Sequence, residues 1–138
     1  MKKVPALRAV LHGMPVLAVL ALLCAAPPLR ADERACIREV RFPKGATETT
    51  LAGQIKGYAF CDYVVSAAKG RQLQVWLTGE HVNRASVILR SPVEAELSPE
   101  GETFVLPADG TYTIRVLMIR TFARRGHTLR YSLRIRIR

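Results

Sequence analysis

The last 28 residues, 111–138, hold eight arginines: Arg115, Arg120, Arg124, Arg125, Arg130, Arg134, Arg136 and Arg138, with no lysine and no acidic residue among them. Arginine presents a planar fork that meets a carboxylate or phosphate through two parallel hydrogen bonds, whereas lysine acts as a point charge. Apolar residues alternate between these arginines, so folded strands carry them and not a loose basic tail. In 111–120, Tyr112, Ile114, Val116 and Met118 share one face. In 129–138, Tyr131, Leu133, Ile135 and Ile137 face inward, while Ser132, Arg134, Arg136 and Arg138 face outward. Between the two, residues 121–128 break the alternation, which puts Arg124 and Arg125 in a connector. Recognition residues concentrate on such loops when a rigid scaffold holds them. A soluble basic turn is the plainer reading. The outward trio Arg134, Arg136 and Arg138 could attract anionic lipid, but charges that keep an edge strand from pairing with another sheet account for it better.

A second segment, Gly53-Gln54-Ile55-Lys56-Gly57-Tyr58, could also make contacts. Gly57 permits a sharp turn, and a tyrosine exposed just after it is a stiff, amphipathic anchor of the kind protein interfaces use. The alternative is a tyrosine half-buried in a strand.

No catalytic constellation is present. His81 and His127 are not in a metal-ligand spacing, and no nucleophile elbow, phosphate loop or dinucleotide fingerprint occurs. Glu94, Glu96, Glu100 and Glu102 lie among Pro and Ser, which predicts a solvated acidic loop with nothing to raise a carboxyl pKa for acid catalysis. The sequence therefore predicts a non-enzyme without cofactor or metal. Trp76 is the only tryptophan and has no obvious stacking platform around it, which argues against nucleic acid.

The elements that must position these residues read as all-β. Short alternating runs at 39–42, 50–55, 58–67, 72–77, 85–89, 103–106, 111–120 and 129–138 are separated by Gly, Pro, Asp and Asn. About eight short strands predict a single small antiparallel β-sandwich or flattened barrel. Residues 79–84 are a polar loop, 91–101 a long acidic one, and Pro107-Ala108-Asp109-Gly110 a strong turn.

The first thirty-odd residues read as an export signal. Lys2, Lys3 and Arg8 form a positive start, Val16 to Ala26 an apolar stretch, and Leu29-Arg30-Ala31 a cleavage site. Cleavage after Ala31 is expected, with Ala26 as second choice. The competing readings are an uncleaved anchor or a lipoprotein cut before Cys24. A signal over 1–31 leaves a domain over 32–138 with 17 basic residues (21 less Lys2, Lys3, Arg8 and Arg30) against 11 acidic, about +6. The protein is then periplasmic, without stable membrane insertion, and export is a further argument against nucleic acid as partner. Two cysteines remain, Cys36 and Cys61. In an exported protein they suggest a disulfide, and two buried thiols are the alternative.

Taken together, these segments resemble the periplasmic inhibitors of g-type (goose-type) lysozyme. The likeness runs from about Val40 to Arg138. It is carried by Val40-Arg41-Phe42-Pro43-Lys44-Gly45, by Gly53 to Tyr58, by Leu106-Pro107-Ala108-Asp109-Gly110-Thr111-Tyr112, by Arg115-Val116-Leu117, Arg120 and Ala123-Arg124, and by Tyr131-Ser132-Leu133. The resemblance implies a small all-β protein that occupies the substrate cleft of a host lysozyme, with inhibitory residues falling on Tyr58, Arg120 and Arg124. Asp109 stands where the family has a serine, which would put an acidic group beside the contact surface. The oligomeric state, monomer or homodimer, stays open. The alternative from another class is a β-sandwich that binds cell-envelope glycan or lipid.

Overall fold

A computed structural model describes residues 36–138. The expected export signal, with its Cys24 and cleavage site, lies outside the described residues. Among the described residues, nine strands form two sheets. One contains β1 (Cys36–Glu39), β3 (Phe60–Ala67), β8 (Gly110–Met118), β5 (Ala85–Ser91) and β6 (Ala95–Leu97), hydrogen-bonded in the order β1-β3-β8-β5-β6. The other runs β2-β9-β4-β7, with β2 Glu48–Lys56, β9 Thr128–Ile137, β4 Gln72–Thr78 and β7 Phe104–Val105. Every pairing is antiparallel except β1 with β3.

The two sheets close over the apolar face that alternation predicts. Tyr112, Ile114 and Val116 from β8 meet Leu133 and Ile135 from β9, all of them fully buried. Within this layer the Tyr63 and Tyr131 hydroxyls are 2.8 Å apart and satisfy each other. Gly53 makes room for that pair, since a Cβ there would stand 2.5 Å from the Tyr131 ring. At the far end of β8 the Tyr112 hydroxyl bonds back to the Ala108 carbonyl and accepts from the Ala108 N–H, tying down the 107–110 turn as a tyrosine corner does.

Four sequence expectations change. The first strand occupies Cys36–Glu39 and not 39–42, because the Cys36–Cys61 disulfide holds that segment in parallel register beside β3. The disulfide closes a 25-residue separation, worth about 3.5 kcal/mol of denatured-state entropy. The acidic stretch 91–101 contains β6, whose Ala95 and Leu97 turn inward over too few residues to leave an alternation. Its Glu94 pairs with Arg90 at 3.0 Å. The connector after β8 folds into one turn of helix, α1 (Arg120–Ala123).

The fourth change concerns the outward arginines. β9 is an interior strand, so Arg134 and Arg136 do not guard an edge. Both are half-buried, stacked over Trp76 at 4.1 and 5.1 Å, and Arg136 is paired to Glu48 at 2.8 Å. They cover this sheet face and are not a free anion-binding row. Arg138 is exposed.

Candidate functional site at one end of the sandwich

Strand direction gathers three connections at one end: residues 56–59 between β2 and β3, 79–84 between β4 and β5, and 119–127 between β8 and β9. Their contacts are direct. The Gly57 N–H donates to the His127 carbonyl at 2.9 Å, and a Cβ on Gly57 would lie 3.6 Å from the Ala123 carbonyl oxygen. Gly57 has φ +59, a left-handed conformation that suits glycine and turns the chain so that Tyr58 follows at the tip. Tyr58 is 64 % exposed and sits in this turn, not within the strand read over 58–67. The tyrosine turn and the arginine connector are thus neighbours, although 62 residues separate Tyr58 from Arg120 in sequence (120 − 58).

The connector has a built inside and a free outside. Ala123 is buried, and Phe122 packs half-buried against the core. The Arg84 guanidinium lies 4.7 Å from the Phe122 ring centre, and the His127 ring meets Phe122 edge-on at 5.8 Å. Arg124 N–H donates to the Arg120 carbonyl at 2.9 Å, the helical i, i+4 bond. That spacing puts the Arg120 and Arg124 side chains on one face, with Cβ atoms about 5–6 Å apart. Both are exposed, and among the described residues neither makes an ion pair or a side-chain hydrogen bond. Lys56, Arg84 and Arg125 add positive charge to this end, where Glu80 is the only carboxylate in the three connections. Two unpaired forks beside an exposed tyrosine can take a carboxylate presented from a concave partner.

Asp109 is not at this end. It precedes β8, whereas Arg120 follows it, and the nine residues of β8 span about 27 Å. Its Oδ1 accepts the Lys69 backbone N–H at 2.7 Å, so it joins two turns at the opposite end of the sandwich. The expectation of an acidic group beside the contact surface is corrected: the β8 pairing separates the two motifs that the sequence places near each other.

Arg115 is engaged within the molecule. Its Nε and Nη2 bind the two Asp62 carboxylate oxygens at 2.7 and 2.8 Å across the β3–β8 register, and the guanidinium lies 3.7 Å over Phe60. The bond to Asp62 raises the Arg115 pKa. Arg130 is held by Gln54 at 3.1 Å. The sequence offered no sign of Arg84, because its partner Phe122 comes from a connection that reaches it only once both sheets have formed.

No known family profile matches the chain. Among curated proteins it is similar to the inhibitor of g-type lysozyme of Escherichia coli K12, 35 % identical over 107 residues, covering 72 % of this chain and 79 % of that protein. Among solved structures it is similar to two periplasmic inhibitors of g-type lysozyme. The Aeromonas hydrophila protein superimposes with TM-score 0.69 at 29 % identity, covering 76 % of this chain and 98 % of that one. The Salmonella Typhimurium protein gives 0.68 at 30 % identity, covering 75 % and 98 %.

Proposed function

The chain belongs to the family of g-type lysozyme inhibitors, and we propose that it blocks such a lysozyme in the periplasm by inserting the 56–59 turn and the 119–127 connector into the substrate cleft. Residues 32–138 are the working unit, released by cleavage after Ala31. Arg120 and Arg124 are the residues that meet the acidic cleft. Glycosidases cut with carboxyl groups in a groove, and a guanidinium delivered there makes paired, charge-assisted hydrogen bonds out of bulk water. Tyr58 supplies apolar area and one hydroxyl at the same contact. Asp109 serves the fold by holding the opposite turn. An inhibitor of this kind turns over no substrate and needs no cofactor.

One observation carries this reading. Two segments far apart in sequence, each with exposed and unpaired recognition groups, are joined by the Gly57–His127 hydrogen bond into a single tip. The free arginines also start without the internal partners that occupy Arg115, Arg134 and Arg136. A cell-wall lysis assay tests it, with g-, c- and i-type lysozymes run in parallel. The wild-type chain inhibits the g-type enzyme, and the folded double variant Arg120→Ala/Arg124→Ala does not. Full inhibition by the double variant rejects the mechanism, and inhibition of only a c- or i-type enzyme replaces the target.

A further inference from the structure

The 56–59 turn and the 119–127 connector offer fewer residues than the roughly 20–30 a side of a standard protein interface. The remainder is adjacent to them. We infer that residues 79–84 form a third segment of the lysozyme-binding surface, and that the groove between this loop and β9 receives a polar, hydrogen-bonding loop from the rim of the same cleft. The inference rests on the reading of the tip as the lysozyme-binding end.

Three features show a loop built to hold one position. Gly79, at φ +138, lies flush on β9: a Cβ there would stand 2.7 Å from the Arg130 carbonyl oxygen and 3.3 Å from the Tyr131 Cα. His81 has φ +62, the one positive φ at a non-glycine residue among those described, and it is exposed at the loop apex. Left-handed backbone at a residue with a side chain persists only where surrounding contacts enforce it, and such positions cluster at ligand clamps. The residues that follow it close a turn in which Arg84 N–H donates to the His81 carbonyl at 2.9 Å. Arg84 then fastens the loop to the connector twice, through its carbonyl, which accepts the Ile119 N–H at 2.7 Å, and through its guanidinium over Phe122. Loop and arginine connector therefore present themselves as one body.

On the other flank of the loop is a groove of about 710 Å³, lined by Gln54, Thr78, Glu80, His81, Thr128 and Arg130 among others. Its chemistry is amide, hydroxyl, imidazole, one carboxylate and one guanidinium, with Gln54 and Arg130 bonded to each other. A peptide backbone with polar side chains matches that set. A sugar ring finds no aromatic platform, because Tyr131 is buried and turns its ring toward Tyr63. The partner is thus engaged at two places: its acidic cleft by Arg120 and Arg124, and its rim by the polar groups of the groove.

Titration calorimetry and lysis inhibition with a g-type lysozyme test the inference on two variants. Glu80→Ala/His81→Gly removes both side chains and relieves the left-handed backbone, so its thermal stability should match or exceed wild type. Thr128→Arg fills the groove from an exposed strand end. Each is expected to weaken binding about 10- to 30-fold. If both bind like wild type while Arg120→Ala/Arg124→Ala has lost inhibition, the groove inference is overturned and the tip reading survives. If the wild-type chain inhibits no g-type lysozyme, both fall. A third arm titrates soluble disaccharide–peptide fragments of peptidoglycan. Binding that disappears in the groove variants while inhibition stays intact makes the groove a glycan site and overturns the inference.

Discussion

Replacing Phe122 with alanine should weaken inhibition while leaving Tyr58, Arg120 and Arg124 in place. A four-residue helix has no stability of its own, because nucleation costs more than one turn returns. α1 depends on what holds its inner face, and Phe122 is most of that. Half-burial of the ring contributes about 1 kcal/mol, the stack under Arg84 about 0.5–1, and the edge contact with His127 about 0.5. The sum, about 2–2.5 kcal/mol, is the bias toward the turn that aligns Arg120 with Arg124. If the bias disappears, the binding-competent fraction falls by up to about 50-fold, and the apparent inhibition constant rises in proportion. Phe122→Ala is therefore expected to inhibit about 10- to 50-fold more weakly, and Phe122→Leu, which keeps apolar burial, only about 3- to 5-fold. Hydrogen exchange separates this from general unfolding. Amides of 120–127 should exchange faster in Phe122→Ala by a similar factor, while those of β3 and β8 keep their protection. Wild-type inhibition together with accelerated exchange would refute the argument, since it would mean that the arginines work without the ordered turn.

Other consequences concern the scaffold. Cys36→Ser/Cys61→Ser should lose about 3.5 kcal/mol in urea melts, from release of the 25-residue loop in the denatured state; a loss under 1 kcal/mol would mean that β1 is held by other means. Burial raises the pKa of both Tyr63 and Tyr131, and their mutual hydrogen bond raises that of Tyr131 further. Raised folded-state values keep the stabilisation complete below the unfolded tyrosine value near 10, and it drains away as pH rises above that. Melting temperature should be flat from pH 7 to about 9.5 and then fall, less steeply in Tyr131→Phe. Gly53→Ala should cost about 2 kcal/mol or more, because the new Cβ meets the Tyr131 ring at 2.5 Å, whereas Gly45→Ala, which points into open space at φ +80, should cost only about 1. Equal losses would mean that Tyr131 has room to move.

The β architecture was legible because alternation reports burial directly: Tyr112 to Met118 and Tyr131 to Ile135 all face the core as their period predicts. What alternation cannot report is register. Asp62 and Arg115 are opposite charges on outward positions, but their bidentate pairing appears only once β3 is set against β8. For the same reason Arg134 and Arg136 read as guards of an edge strand, since nothing local shows Trp76 arriving beneath them from β4. The separation of Asp109 from Arg120 was not legible, because motif likeness carries no direction along a strand. The tip itself was half legible: the residue types at Tyr58, Arg120 and Arg124 pointed to recognition, and their meeting depended on the fold.

The central claim is that placement, not net charge, makes this end inhibitory. The direct test is the inhibition constant against a g-type lysozyme for Arg120→Ala, Arg124→Ala and Arg138→Ala, three variants that each remove one exposed positive charge. Loss of one arginine from a desolvated pair costs about 2–5 kcal/mol, roughly thirty- to several-thousand-fold, whereas a solvated charge costs under 1 kcal/mol. The account predicts that large loss for Arg120→Ala and Arg124→Ala and less than about fivefold for Arg138→Ala. Equal losses in all three would contradict it.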